Sequence, residues 1–200
     1  MDDAYKTEFL EIYDEHVKRE GADRLREYLT DKSDFFVAPA SARYHCAHEG
    51  GLCEHSVNAY KRLLAGVRAE YGEEWEKRFS HETVAVCGLL HDVCKCNFYK
   101  VDTRNVKEGD AWVRKPYYTR VEKLPYGHGE KSVFIVNEYM RLTVEEAVAI
   151  RWHMGGFDDA ARGGCFAISE AYDKYPLAVK LHIADLEATY LMEHRTSAVR

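Results

Sequence analysis

The chain has 200 residues, of which 46% are hydrophobic and 12% aromatic, and its formal net charge is −6. These values suffice for one sizeable core, so we expect a single domain over residues 1–200. Apolar runs are too short for a membrane span, the N-terminus is charged, and the acidic balance does not suit duplex nucleic acid. We therefore expect a cytoplasmic protein with neither a membrane nor duplex nucleic acid among its partners.

The six cysteines contain no Cys-x-x-Cys pair, and two of them lie within an apolar run. This usage indicates reduced thiols rather than a disulfide framework. Cys94 and Cys96 flank Lys95 and could act as ligands or in redox chemistry, although the apolar context favours packing in the core.

In chain order, apolar residues at helical spacing predict a first helix over residues 4–18 and a short second helix near residues 25–29. Residues 35–43 lack helical periodicity and contain Pro39, which indicates a connecting segment. Gly50 and Gly51 then permit a sharp turn before a third helix. His55 falls on the apolar face of that helix, where a histidine is either hydrogen-bonded within the core or a metal ligand.

Residues 84–95 form the most apolar stretch, with almost no polar face before His91 and Asp92. This pattern predicts a buried helix that ends at these two residues. An imidazole and a carboxylate in such a place need polar partners, which could be hydrogen-bonding groups at the helix end or a metal ion.

Residues 97–127 predict an inserted β-hairpin, because two aromatic and β-branched runs flank a turn at Lys107-Glu-Gly-Asp110. Seven Lys or Arg against four Asp or Glu give this segment a formal charge of +3, which leaves −9 for the rest of the chain. A basic, aromatic flap suits an anionic ligand with a stacking ring, such as a nucleotide. Packing of the aromatic rings on the helices is the alternative.

The last third of the chain predicts three helices. His128 opens the first, within a Gly-rich segment whose spacing excludes a phosphate-binding P-loop. A capping box at Thr143 starts the second helix, which ends near His153. Pro176 begins the third, where Asp185 lies beside the apolar stripe and needs a cation, and His182 could support it.

The ordered set His55, His91-Asp92, His128, His153 and Asp185 resembles the HD superfamily of metal-dependent phosphohydrolases over roughly residues 44–190. Flanking residues also agree, as in Gly-Gly-Leu before His55 and Leu-Leu before His91. The resemblance implies an all-α helical bundle, to which the hairpin is an addition. It also implies one metal ion held by His55, His91, Asp92 and Asp185, and a second held by Asp92, His128 and His153.

By this resemblance Asp92 and Lys95 are the catalytic candidates, with Lys95 stabilising the phosphoryl transition state or simply pairing with an acidic neighbour. Mixed nitrogen and oxygen ligands favour one or two divalent ions of Mn, Fe, Co, Ni or Zn over Mg. The expected reaction is hydrolysis of a small phosphoester, most plausibly a nucleotide, by a metal-activated water. From their charge, ring type and position, four residues are predicted to contact the substrate, namely His45, Arg43, Tyr99 and Arg151.

Two departures from the family bear on the substrate. His45 is followed by Cys46, where related sequences often carry paired histidines, so only His45 inherits that substrate role. The chain also has no room for the nucleic-acid-binding domain of exonuclease-like members, which favours a small substrate. Two alternatives stay open, namely a di-iron oxygenase built on the same four His and two Asp, and a non-catalytic module that binds metal or nucleotide. The oligomeric state is not predicted.

Overall fold

The computed structural model describes residues 3–193, and its architecture is helical with one small antiparallel β-sheet. The helical class and the β-hairpin predicted from the sequence are both present. Within the described residues, no helix combines the length and the apolar character that crossing a bilayer requires.

The helices follow the predicted order along the chain, with some additional short turns. Their bounds are Asp3–His16 (α1), Ala22–Glu27 (α2), Gly51–Tyr71 (α3), Trp75–Arg78 (α4), His81–Leu90 (α5), His128–Tyr139 (α6), Val144–Trp152 (α7), Asp159–Arg162 (α8), Ala167–Lys174 (α9) and Pro176–Glu187 (α10). Single π-helical turns extend α2 over Tyr28–Lys32 and α10 over Ala188–Met192.

Helix α5 is the buried centre of the fold, as its composition predicts. The Ser80 side chain accepts a hydrogen bond from the Thr83 N–H and so caps the helix, and every residue from Val84 to Leu90 is buried. Helix α3 packs across α5, and α10 packs against both α3 and α7. This arrangement directs the C-terminal end of α5 into the interior of the bundle.

The predicted boundaries of the later helices are also confirmed. Thr143 and Glu146 form the capping box that begins α7, and Pro176 occupies the first turn of α10. His91 and His153 are the C-cap residues of α5 and α7, and His128 is the first residue of α6. Three of the five segments that carry candidate ligands therefore place them at helix ends.

The hairpin consists of strands Tyr99–Glu108 (β1) and Ala111–Arg120 (β2), paired antiparallel from Tyr99 opposite Arg120 to Glu108 opposite Ala111. Its turn uses Gly109 at φ 60°, a left-handed conformation that glycine adopts without strain. Trp112, close to this turn, is 70% exposed, whereas Tyr99 at the base packs against Phe98. Most of the hairpin therefore stands in solvent, and only its base joins the helices.

Candidate metal centre

Six side chains from five segments converge at one end of the bundle. Their origins are α3 (His55), the end of α5 (His91 and Asp92), the start of α6 (His128), the end of α7 (His153) and α10 (Asp185). His55, His91 and His153 are fully buried, Asp92 nearly so, and the side chains of Asp185 and His128 are partly exposed at 16% and 29%. The structure thus brings together every metal ligand that the resemblance implies.

The first half of this centre surrounds Nε2 of His55. That atom lies 3.1 Å from Nε2 of His91, 3.2 Å from Oδ1 of Asp185 and 3.3 Å from Oδ2 of Asp92. Ligands about 2.0–2.2 Å from one tetrahedral ion are roughly 3.4 Å apart, so these separations fit a shared cation.

The second half surrounds the other oxygen of Asp92. Oδ1 lies 2.7 Å from Nε2 of His128 and 3.5 Å from Nε2 of His153. Asp92 therefore presents one carboxylate oxygen to each group of histidines, which is the geometry of a carboxylate that bridges two ions.

Hydrogen bonds at the far side of three imidazole rings determine which nitrogen carries the proton. Nδ1 of His91 donates to the carbonyl oxygen of Gly88 at 2.9 Å, and Nδ1 of His153 donates to that of Ile150 at 2.7 Å. Nδ1 of His55 faces the carboxylate of Glu193 at 2.8 Å. A neutral ring that donates through Nδ1 presents a lone pair at Nε2, so the converging atoms are predominantly acceptors.

Acceptors that face one another inside a protein need a proton or a cation between them. Nε2 of His153 is buried and has no hydrogen-bond partner among the described residues. The carboxylates of Asp92, Asp185 and Glu193, set against the ammonium of Lys95, leave a formal charge of −2 when the histidines are neutral. The donor set therefore fits divalent metal ions, and their identity is open.

The pKa values of the histidines depend on burial and on the carboxylates that face them. Burial lowers the pKa of His91 to about 3. Burial also opposes charge on His55, but Glu193, Asp185 and Asp92 raise its pKa well above the ordinary value. For His128, burial is likewise outweighed, and the adjacent Cys94 and Asp92 raise its pKa to about 10. The two histidines whose pKa values rise are thus the ones that face carboxylates most closely.

Lys95 lies at the edge of the centre and is 7% exposed. Its Nζ donates to Oδ2 of Asp92 at 2.5 Å. Burial alone would raise the pKa of Asp92, but Lys95, His91 and His128 hold it well below the usual range. The ion pair that the sequence allowed for Lys95 is present, and it restrains the orientation of the Asp92 carboxylate.

Two of the nominated substrate contacts lie beside the centre. The ring of His45 is 4.9 Å from that of His55, and its Nε2 is buried without a hydrogen-bond partner among the described residues. Burial and then Lys95 lower the pKa of His45 to about 4. Burial raises the pKa of Tyr99, Asp92 adds a smaller increase and Lys95 lowers it, so the Tyr99 hydroxyl at the base of the hairpin is within electrostatic range of the candidate ligand Asp92.

The other two nominated contacts already have protein partners. Arg43 is hydrogen-bonded to the Tyr44 hydroxyl and lies over its ring. Arg151 forms ion pairs with Glu130 and Asp158, and its guanidinium stacks on Trp152 at 3.9 Å. A substrate would have to exchange these contacts, so the substrate roles of both arginines stay predictions.

Two further residues lie at the centre. The sequence analysis did not identify Glu193, and it assigned Cys94 to packing in the core. Glu193 follows the last helical turn and is the partner of Nδ1 of His55. Cys94 is buried, as expected, but its Sγ also lies 3.4 Å from Nδ1 of His128. His182, which the sequence analysis proposed as a supporting residue, lies behind His153: its Nδ1 donates a hydrogen bond to the backbone carbonyl oxygen of His153 at 2.6 Å.

Comparisons of the chain with models of protein families, with curated proteins and with solved structures found no match.

Proposed function

We propose that this chain is a metal-dependent phosphohydrolase of the HD type, which hydrolyses a small phosphoester such as a nucleotide. The observation that carries the proposal is the convergence of four imidazole Nε2 atoms with the carboxylates of Asp92 and Asp185. The resemblance in the order and spacing of these residues supports the HD assignment, since the helical class alone is shared by many folds.

His55, His91, Asp92 and Asp185 would hold the first ion, and Asp92, His128 and His153 the second. Such a ligand set leaves coordination positions for water and substrate, as a catalytic site requires. Its imidazoles favour Mn, Fe, Co, Ni or Zn over Mg. When bound, these ions supply an acidified water and stabilise negative charge on phosphoryl oxygens.

The chain's own residues prepare the site in three ways. Gly88, Ile150 and Glu193 fix the imidazole rings through their Nδ1 atoms, so the ligands are oriented before the metal arrives. Lys95 holds Asp92 and brings a positive charge within reach of a phosphoryl group. Burial of the inner ligands keeps bulk water away from one side of the centre.

The substrate side of the proposal rests on the hairpin. Its basic and aromatic residues extend from Tyr99, whose pKa responds to the charges of Lys95 and Asp92, to the exposed Trp112. A phosphate at the centre would place the remainder of the substrate near this flap. A positively charged surface with stacking rings suits a nucleotide.

The test combines metal analysis with a phosphatase and phosphodiesterase assay. Metal per chain is measured in the wild type, in His128→Ala and in His91→Ala, and each protein is assayed with p-nitrophenyl phosphate and bis-p-nitrophenyl phosphate. We expect His128→Ala to bind about one equivalent of metal fewer than the wild type, and we expect both variants to lose turnover. His81→Ala is the matched control, because His81 lies at the start of α5, outside the cluster.

Three outcomes would overturn the proposal. Iron-loaded protein that consumes dioxygen and leaves phosphoesters intact would indicate the di-iron oxygenase. Tight metal binding without turnover in any added metal would indicate a binding module. Equal metal content in the wild type and in His91→Ala would show that His91 binds no metal, and the proposed centre would then be wrong.

A further inference from the structure

A second group of metal-ligating side chains lies outside the centre, on the segment that leads into α3. Cys46, His48 and Glu54 each offer one ligand atom, and these atoms all lie within 4.8 Å of one another. Cys46 is 1% exposed, whereas the side chains of His48 and Glu54 are 50% and 21% exposed. The group therefore has a buried thiol at its base and an opening to solvent at its imidazole.

The hydrogen bonds of His48 orient a lone pair into this group. Nδ1 of His48 lies 3.1 Å from the carbonyl oxygen of Glu49, which can only accept, so this nitrogen donates. The other nitrogen, Nε2, lies 3.3 Å from Oε2 of Glu54. In the neutral ring an imidazole lone pair thus faces a carboxylate oxygen, the same conflict that a cation resolves in the main centre.

The backbone presents the thiol from a constrained loop. Cys46 has φ 42°, a left-handed conformation that is uncommon for residues other than glycine, asparagine and aspartate. Its carbonyl oxygen accepts from the Ala40 N–H at 3.0 Å, and Gly51 approaches the same carbonyl so closely that a side chain there would collide with it. Strain of this kind at a non-glycine residue is maintained by its surroundings and often accompanies a functional role.

We propose that Cys46, His48 and Glu54 form a separate binding site for one divalent cation, with Zn²⁺ as the preferred ion. A thiolate, an imidazole and a carboxylate are the three ligand types that zinc binds in proteins, and the sulfur excludes Mg²⁺ and Ca²⁺. The opening at His48 leaves the fourth tetrahedral position to water.

This site shares no ligand with the main centre, so it does not depend on the proposed phosphohydrolase activity. The two are nevertheless neighbours, because the Cys46 thiol lies beside the carboxylate of Glu193, which contacts His55. A cation bound here would tie the loop to the first turn of α3. Since that loop also carries His45, binding would stabilise the position of His45 next to His55.

The test uses Co²⁺ as a spectroscopic probe added to metal-free, full-length protein. A cobalt ion bound to a thiolate gives an intense near-ultraviolet charge-transfer band that oxygen and nitrogen ligands do not give. We expect this band in the wild type and its loss in Cys46→Ser. We also expect His48→Ala and Glu54→Gln to weaken cobalt binding at the band-forming site by at least about tenfold, since loss of a ligand exceeds loss of an outer-shell partner.

Two cysteine variants provide the matched controls. Cys94→Ser tests the other thiol that lies near metal ligands, and Cys53→Ser tests a buried thiol one turn from Gly50 in α3. Both should retain the band. His48 and Glu54 are not fully buried, so their variants keep the test valid if Cys46→Ser does not fold, as circular dichroism would reveal.

The possible results separate this site from the main centre. Loss of the band in Cys94→Ser with retention in Cys46→Ser would assign the thiolate to the main centre and overturn the proposal. Absence of the band in the wild type would also contradict the proposed site, and the contact between His48 and Glu54 would then be an ordinary ion pair. Persistence of the band in His91→Ala supports a separate site, even if that variant and the wild type prove equally inactive towards phosphoesters.

Discussion

Nδ1 of His55 and Oε1 of Glu193 are 2.8 Å apart, and this contact links the first candidate ligand in the chain to the last described residue. Both side chains are buried, and Asn58 of the same helix as His55 lies 3.5 Å from the same oxygen. A carboxylate that accepts from the far nitrogen of a metal-binding imidazole orients the ring and makes it a stronger ligand.

Glu193→Gln should therefore weaken metal binding at the centre by roughly 10- to 100-fold while leaving the fold intact. Glu187→Gln is the control, because Glu187 ends α10 and only reaches Arg62 at 4.0 Å. Competition with a chelating dye measures both affinities. Equal affinities in the two variants would show that Glu193 does not act on the metal through His55.

The crossing of α3 and α5 sets the separation of His55 and His91, and Gly88 makes that crossing possible. A Cβ added at Gly88 would lie 2.5 Å from Cα of Tyr60, which is backbone and cannot move aside. We expect Gly88→Ala to destabilise the fold by about 1–3 kcal/mol and to weaken metal binding, because the two helices must separate.

Gly66→Ala is the matched control within α3, since a Cβ there meets nothing within 4 Å. Alanine is the better helix former, so this variant should stabilise the protein by about 0.5–1 kcal/mol. Urea unfolding midpoints measure both changes. Shifts of the two variants in the same direction would contradict the packing argument.

Local patterns in the sequence predict the helices that carry the candidate ligands, and the resemblance to the HD superfamily then selects the six side chains. Apolar periodicity defines α3, α5, α7 and α10, and a histidine or aspartate that interrupts an apolar stripe near a helix end is visible without any structure. The hairpin is equally local, since the turn at Gly109 lies between two β-rich runs.

Long-range contacts are what the sequence does not reveal. Glu193 meets His55 across 138 positions and lies in no periodic pattern that would single it out. Cys94 fits the apolar stretch as a core residue, and its proximity to His128 depends on how α6 packs. The direction of the hairpin and the partners of Arg151 likewise depend on tertiary packing rather than on local propensity.

Lys95 should act on the reaction through its charge and on Asp92 through its ion pair. We expect Lys95→Gln to lower kcat towards a phosphoester by roughly 100- to 1000-fold. Lys131→Gln is the control, because Lys131 is a similarly buried lysine that pairs with Glu122 instead. If Lys95→Gln also loses its metal, the lysine serves to hold Asp92, and unchanged kcat would exclude both roles.

The ion pair between Arg19 and Glu146 ties the segment between α1 and α2 to α7, away from the candidate metal centre. Two hydrogen bonds of 2.6 and 2.7 Å join the guanidinium to a carboxylate that is 0% exposed, and Thr83 donates to the same carboxylate. Burial would raise the pKa of Glu146, but the bonds from Arg19, the Thr143 N–H and Thr83 lower it below the ordinary value.

A carboxylate with a lowered pKa in the folded state stabilises the protein above its unfolded pKa, and this contribution is lost as the pH falls through the folded value. Glu146→Gln should therefore reduce the free energy of unfolding by about 3 kcal/mol near pH 7. The difference from the wild type should shrink below the unfolded pKa of about 4.5. Glu145→Gln is the control, because Glu145 lies 3.7 Å from Arg78 in a surface ion pair. This variant should change the free energy of unfolding by less than about 1 kcal/mol. Denaturant titrations across the acid range test the sign, and a Glu146→Gln deficit that grew on acidification would show that the carboxylate does not stabilise the fold as an anion.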